Sequence, residues 1–66
     1  MARLPQGEKE RRKGRMARLL NRCRLGLTEV EIAEEMDVHR RTANNYLREL
    51  DEEGKAHRHG RKWFPG

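Results

Sequence analysis

Residues 28–50, TEVEIAEEMDVHRRTANNYLREL, read as two short helices separated by a three-residue break. The first helix has a start signal in three parts. Thr28 stands as N-cap, Glu31 completes a capping box, and Leu27 precedes the cap where it can staple onto Ile32. Val30, Ile32, Ala33 and Met36 give this helix an apolar side, and Ala33 is small enough to let a second helix cross closely. Asp37-Val38-His39 is the break. Val38, its one apolar member, can plug the gap between the helices, while His39 takes the N-cap position of the next one, where Ser or Asp would cap better.

The second helix is expected from about Arg40 to Glu53, with Gly54 ending it. Ala43, Leu47 and Leu50 form one apolar stripe, with Tyr46 on its shoulder. The opposite face carries Arg40, Arg41, Thr42, Asn44, Asn45 and Arg48. In a DNA major groove Arg pairs bidentately with guanine and Asn with adenine. Two successive Asn in an exposed helix cost roughly a few tenths of a kcal/mol each relative to Ala. Stability does not explain them; base reading does.

Beyond Gly54, Lys55-Ala56-His57-Arg58 and Arg61-Lys62-Trp63-Phe64 flank His59-Gly60, the pattern of a short β-hairpin with a two-residue turn. In that register Ala56 faces Trp63 on the core side, His57 pairs with Lys62 on the other face, and Arg58 pairs with Arg61 at the tip. Two Arg at a tip repel each other unless an anion lies between them, so Arg58, Arg61 and Lys62 are expected to contact phosphate. Trp63 is expected to cover the core against Ala56 and Leu50, with stacking on a base as its functional alternative.

These residues resemble the winged helix-turn-helix domains of bacterial and archaeal transcription regulators, particularly the DeoR-like and WYL-type N-terminal domains. The resemblance runs from about Met16 to Phe64. It is carried by Leu27-Thr28, Ile32 to Val38, Arg41-Thr42-Ala43, Leu47-Arg48-Glu49-Leu50, Glu53-Gly54 and the basic hairpin. His39 stands where Ser is usual, and Asn44-Asn45 where an Arg-Arg or Arg-Asp pair is common. The resemblance implies a mostly α, three-helix winged helix-turn-helix with a small β-hairpin. It also implies a prokaryotic transcription regulator such as a repressor, with residues 40–53 in the major groove of double-stranded DNA and the wing, 55–64, on flanking backbone.

Charge is segregated in a way that supports this. Residues 1–26 hold nine Lys/Arg against two Glu, residues 27–54 hold three against nine acids, and residues 55–66 hold four against none. The three cations of the acidic middle are Arg40, Arg41 and Arg48, all on the proposed reading face. One polyanion-facing side is the footprint of nucleic-acid binding.

The remaining organisation is simple. Residues 1–7 read as a flexible basic arm, 8–64 as the domain with helices at about 8–25, 28–36 and 40–53, and 65–66 as a tail or linker to a C-terminal effector domain. In the first helix Met16, Leu19, Leu20 and Cys23 form the apolar stripe and Gly26 is the stop. Its front half, Glu8 to Arg15, has no apolar residue and an interior Gly14, and reads either as a solvated, fraying helix end or as a phosphate-contacting extension. Sixty-six residues allow one small core, a single Cys allows no internal disulfide, and no apolar run suits a signal peptide or membrane span, so a cytoplasmic, nucleoid-associated protein is expected.

Cys23, His39, His57 and His59 lack the spacing of a metal site, and no carboxylate pair or nucleophile with a base stands out. No metal, cofactor or catalysis is expected. A homodimer on a repeated site is expected, since one such unit binds weakly. The rival readings are a reader of nucleic-acid shape (left-handed DNA or RNA) and a winged-helix protein-interaction module.

Overall fold

The computed structural model describes residues 6–66. Helix α1 spans Gln6–Arg22, strand β1 Leu27–Thr28, helix α2 Glu29–Met36, helix α3 Arg40–Glu52, and strands β2 and β3 cover Ala56–His59 and Lys62–Pro65. Three helices and a small antiparallel sheet make a winged helix-turn-helix. No helix among the described residues is long and apolar enough to cross a membrane. Most of the expected arm, residues 1–5, lies outside the described residues, whereas Gln6 and Gly7 belong to α1.

The core is a single cluster: Met16, Leu19 and Leu20 of α1, Ile32, Ala33 and Met36 of α2, Ala43, Tyr46, Leu47 and Leu50 of α3, and Ala56 and Trp63 of the sheet. Leu27 and Val38 are partly buried against it, so Val38 does plug the gap between α2 and α3. Tyr46, expected on the shoulder, is buried; Val30, expected on the apolar side, is 40% exposed. The reason is angular: Ile32, Ala33 and Met36 occupy one arc of α2, and Val30 falls outside it.

Both ends of α2 and the end of α3 follow from local chemistry. The Thr28 hydroxyl accepts from the Glu31 amide at 3.2 Å and the Glu31 carboxylate accepts from the Thr28 amide at 2.8 Å, the complete capping box. That amide donation is the main reason the Glu31 carboxyl titrates below the usual range. At its far end α2 closes through Asp37 in the left-handed region, φ 55°, with the Val38 amide donating to the Ala33 carbonyl at 3.0 Å. Helix α3 ends in the same way, with Gly54 at φ 76° and the Lys55 amide donating to the Leu50 carbonyl at 2.8 Å. Asp37 is the more strained of the two, because a side chain in that region costs about 1 kcal/mol or more. Asp37→Gly is therefore expected to raise stability by about 0.5–1 kcal/mol, which thermal melting would register as a higher Tm; an unchanged or lower Tm would show that the Asp37 side chain is needed.

Three expectations need correction. Helix α1 stops at Arg22, short of 24–25, because the chain turns at once: the Gly26 amide donates to the Cys23 carbonyl at 2.9 Å. The hairpin register is shifted by two residues: Ala56 faces Pro65, His57 faces Phe64, Arg58 faces Trp63 and His59 faces Lys62, with Gly60-Arg61 as the turn. Glycine first and another residue second is a favoured order for a two-residue hairpin turn. Pro65 thus ends β3 within the sheet instead of starting a tail, and the Gly66 amide donates to the Lys55 carbonyl at 3.0 Å.

Strand β1 pairs with β3, Leu27 opposite Trp63 and Thr28 opposite Lys62, giving the order β1-β3-β2. The wing is thereby tied to the cap of α2. Gly26 makes this approach possible: its φ is 95°, and a Cβ there would sit 2.8 Å from the Phe64 ring. Gly26→Ala is expected to cost about 1–2 kcal/mol, measurable by urea unfolding; a loss under a few tenths would mean that β1 adjusts freely.

Candidate nucleic-acid interface

Helix α3 begins with His39, whose Nδ1 accepts from the Arg41 amide at 3.1 Å, so the weak cap foreseen at that position is formed. Its buried residues Ala43, Tyr46, Leu47 and Leu50 face the core. The outward line, at steps of four and three, is Arg41, Asn45 and Arg48, all exposed. Arg40 and Asn44 lie on the flank toward α2. Thr42, half-buried, shares the opposite flank with Glu49, which pairs with Lys9 and Lys13 of α1. The six polar residues therefore occupy three positions around the helix rather than one face.

On the α2 flank Glu29 is the organising group. One carboxylate oxygen accepts from Asn44 Nδ2 at 2.7 Å, and the other meets Arg40 Nε at 3.4 Å. Two candidate base readers are thus held by one acid in the first turn of α2. Sequence reasoning missed this, because an acid after an N-cap is already explained by the helix dipole.

The wing contributes unequally. Arg58 faces Trp63 across the hairpin on the inner side, and the two line a depression with Asn44, Arg48 and Asp51. Arg58 and Arg61 also line a second depression with Arg40, Glu29 and the exposed Val30. Lys62, one residue out of phase, faces the other way, near enough to Glu31 to help depress its carboxyl. Arg40, Asn44, Arg48, Arg58 and Arg61 are therefore brought to one surface, with Arg41 and Asn45 beside them, while Thr42 and Lys62 are not. Among the described residues Arg41, Arg48, Arg58 and Arg61 form no ion pair. Such unpaired guanidinium groups, beside the Asn44 amide that Glu29 holds, suit phosphates and guanine edges.

Behind this surface a charged cluster fixes α3. Lys13 is 3% exposed and its Nζ donates to Glu53 at 2.5 Å and to Glu49 at 3.2 Å. Glu10 lies 3.7 Å from the same Nζ, and Lys9 pairs with Glu49 at 2.8 Å. The hydrogen bond it donates to Glu53 is the chief reason the Lys13 ammonium titrates above its ordinary range, and it outweighs the opposing effect of burial. Glu49, bonded first by Lys9 and then by Lys13, and Glu53, bonded by Lys13, both titrate below theirs. The front half of α1 is thus pinned onto α3 instead of fraying, and Glu53 is not a freely solvated acid. Lys9, Lys13, Met16 and Leu20 follow one helical line, so the apolar stripe extended toward the N-terminus marks these two lysines.

A family model described as a homeodomain-like domain matches residues 8–59, which takes in nearly all of α1, then α2, the turn and α3, and the first strand of the wing. The chain belongs to the homeodomain-like helix-turn-helix family. These are DNA-binding helix-turn-helix domains, and DNA is the partner that membership implies. Comparison with curated proteins and with solved structures finds no match. Within this homeodomain-like domain α2, the Asp37–His39 turn and α3 form the helix-turn-helix proper, and the β2–β3 hairpin is the wing.

Proposed function

We propose that this domain binds double-stranded DNA sequence-specifically as all or part of a transcription regulator. Arg41, Asn45 and Arg48 approach bases from the outward line of α3, Arg40 and Asn44 read from the flank held by Glu29, and Arg58 and Arg61 grip the adjoining backbone. Thr42 and Lys62 take outer phosphate contacts at most. The observation that carries the reading is the unpaired line Arg41-Asn45-Arg48 beside wing residue Arg58, opposite a fully buried stripe. The likeness to DeoR-like and WYL-type regulators supports a prokaryotic repressor with an effector domain beyond the wing, acting as a dimer on a repeated site.

Selection of bound duplexes from a random pool, followed by titration of the best site against a scrambled one, tests the proposal. Asn45→Ala is expected to weaken the best site roughly tenfold and relax one base position, while Arg61→Ala weakens all duplexes alike and lowers the salt slope by about one. Salt-sensitive binding without an enriched motif would point to a shape reader instead, and absence of binding to a protein-interaction module.

A further inference from the structure

Apart from Arg12, which is half-buried and paired with Glu8, helix α1 separates its lysines from its arginines. Both described lysines, Lys9 and Lys13, lie on the core side and are ion-paired with α3, whereas Arg11, Arg15, Arg18 and Arg22 are all exposed along one outer line. Arg11 meets Glu8 at 3.8 Å; Arg15, Arg18 and Arg22 have no carboxylate partner among the described residues. The steps of four, three and four put like charges at the spacings where they destabilise a helix. Solubility would be served as well by Lys, whereas Arg adds a planar fork that takes phosphate bidentately.

The line runs about 16 Å along the axis. The one apolar residue lining a depression with Arg15, Arg18 and Arg22 is Leu19, which is buried in the core, so the line offers guanidinium groups and no protruding apolar anchor of the kind a protein partner would seat in a pocket. A uniform polyanion fits it better. Its direction decides which one. Helices α1 and α3 turn their buried stripes toward the same core, so the Arg line of α1 and the Arg41-Asn45-Arg48 line of α3 point away from each other. The outer face of α1 is therefore a separate surface from the one that α3 presents to a duplex.

We propose that the outer face of α1 binds the phosphate backbone of a second duplex segment, so that one copy of the domain joins two stretches of DNA. This rests on the reading of α3 as the first DNA surface. The test is recovery of a free, fluorescent duplex of unrelated sequence on beads that carry the selected duplex, comparing the wild type with Arg15→Ala/Arg18→Ala/Arg22→Ala. These substitutions are on the surface and favour helix.

The expected result is that the triple variant holds the bead duplex within about twofold of wild type but recovers at least about fivefold less free duplex. If the variant recovers as much free duplex as wild type, bridging runs through the α3 surfaces of paired copies and the inference falls while the first reading stands. An equal loss on the bead duplex would place the Arg line in the first footprint and also overturn it. Better recovery of labelled RNA or polyglutamate than of duplex would overturn the choice of partner. If wild type does not bind the bead duplex at all, the proposed function itself fails, and the second site with it.

Discussion

Lys13→Ala is expected to lower stability by about 2 kcal/mol at neutral pH, a large part of the roughly 3–10 kcal/mol available to a domain of this size. The substitution removes a buried stem and leaves Glu10, Glu49 and Glu53 facing one another without the ammonium that holds them. The loss stays below that of a fully buried ion pair because Glu49 and Glu53 are each more than a third exposed and water can partly replace Lys13. The signature is in the pH dependence. Glu49 and Glu53 have folded values below their unfolded ones, so their contribution is present above the ordinary carboxylate value, about 4.3, and is lost as pH falls through the depressed values. Lys13 is raised, so its contribution is complete below its ordinary value and is lost only above pH 10.5, as pH rises through the raised one. Urea unfolding should therefore show the gap between wild type and Lys13→Ala at pH 7 narrowing below pH 4, where Lys13 is left a buried cation without anionic partners. A gap that persists unchanged at pH 3 would assign the loss to packing of the stem alone.

The fold was legible because its signals are local. The Thr28 and Glu31 capping box, the Gly54 stop and the apolar stripe of α3 each specify one backbone event by sequence-adjacent chemistry, and the structure contains all three. The hairpin register was not fixed in this way. Sliding the strands by two residues keeps Ala56 and Trp63 on the core face, so alternation alone cannot choose between the registers. Pairing of β1 with β3 and the position of Gly60 at the turn decide it, and the first of these is a long-range contact. The site was legible by residue type more than by position. The polar residues of α3 stand out against the apolar stripe, but which of them point outward depends on where α1 and α2 pack. Thr42 turns toward the Glu49 flank, and Asn44 turns toward an acid 15 positions earlier in the chain. Nothing in the sequence near Glu29 distinguishes it from an ordinary first-turn acid.

Glu29→Ala is the substitution that separates those two roles, and it is expected to lower the discrimination free energy between best and scrambled sites by about 1–3 kcal/mol while tightening binding to random duplex. The tightening follows from charge: one carboxylate leaves a surface lined by Arg40, Arg58 and Arg61, so the backbone meets more positive charge. The lost discrimination follows from order. With Glu29 present, Asn44 donates one amide hydrogen to it at 2.7 Å and Arg40 is held at 3.4 Å, which leaves each with a defined direction for its remaining donors. Without it both side chains choose among rotamers and pay that entropy on binding, a cost that falls on sequence-reading contacts far more than on phosphate contacts. Asn44→Ala should lose discrimination by a similar amount without the general tightening, and Glu29→Ala/Asn44→Ala should lose little more than either change alone, since both remove one unit. If Glu29→Ala instead lowers helix stability by a few tenths of a kcal/mol and leaves the Kd ratio unchanged, then Glu29 serves the dipole of α2 and Asn44 reads DNA, if at all, without its help.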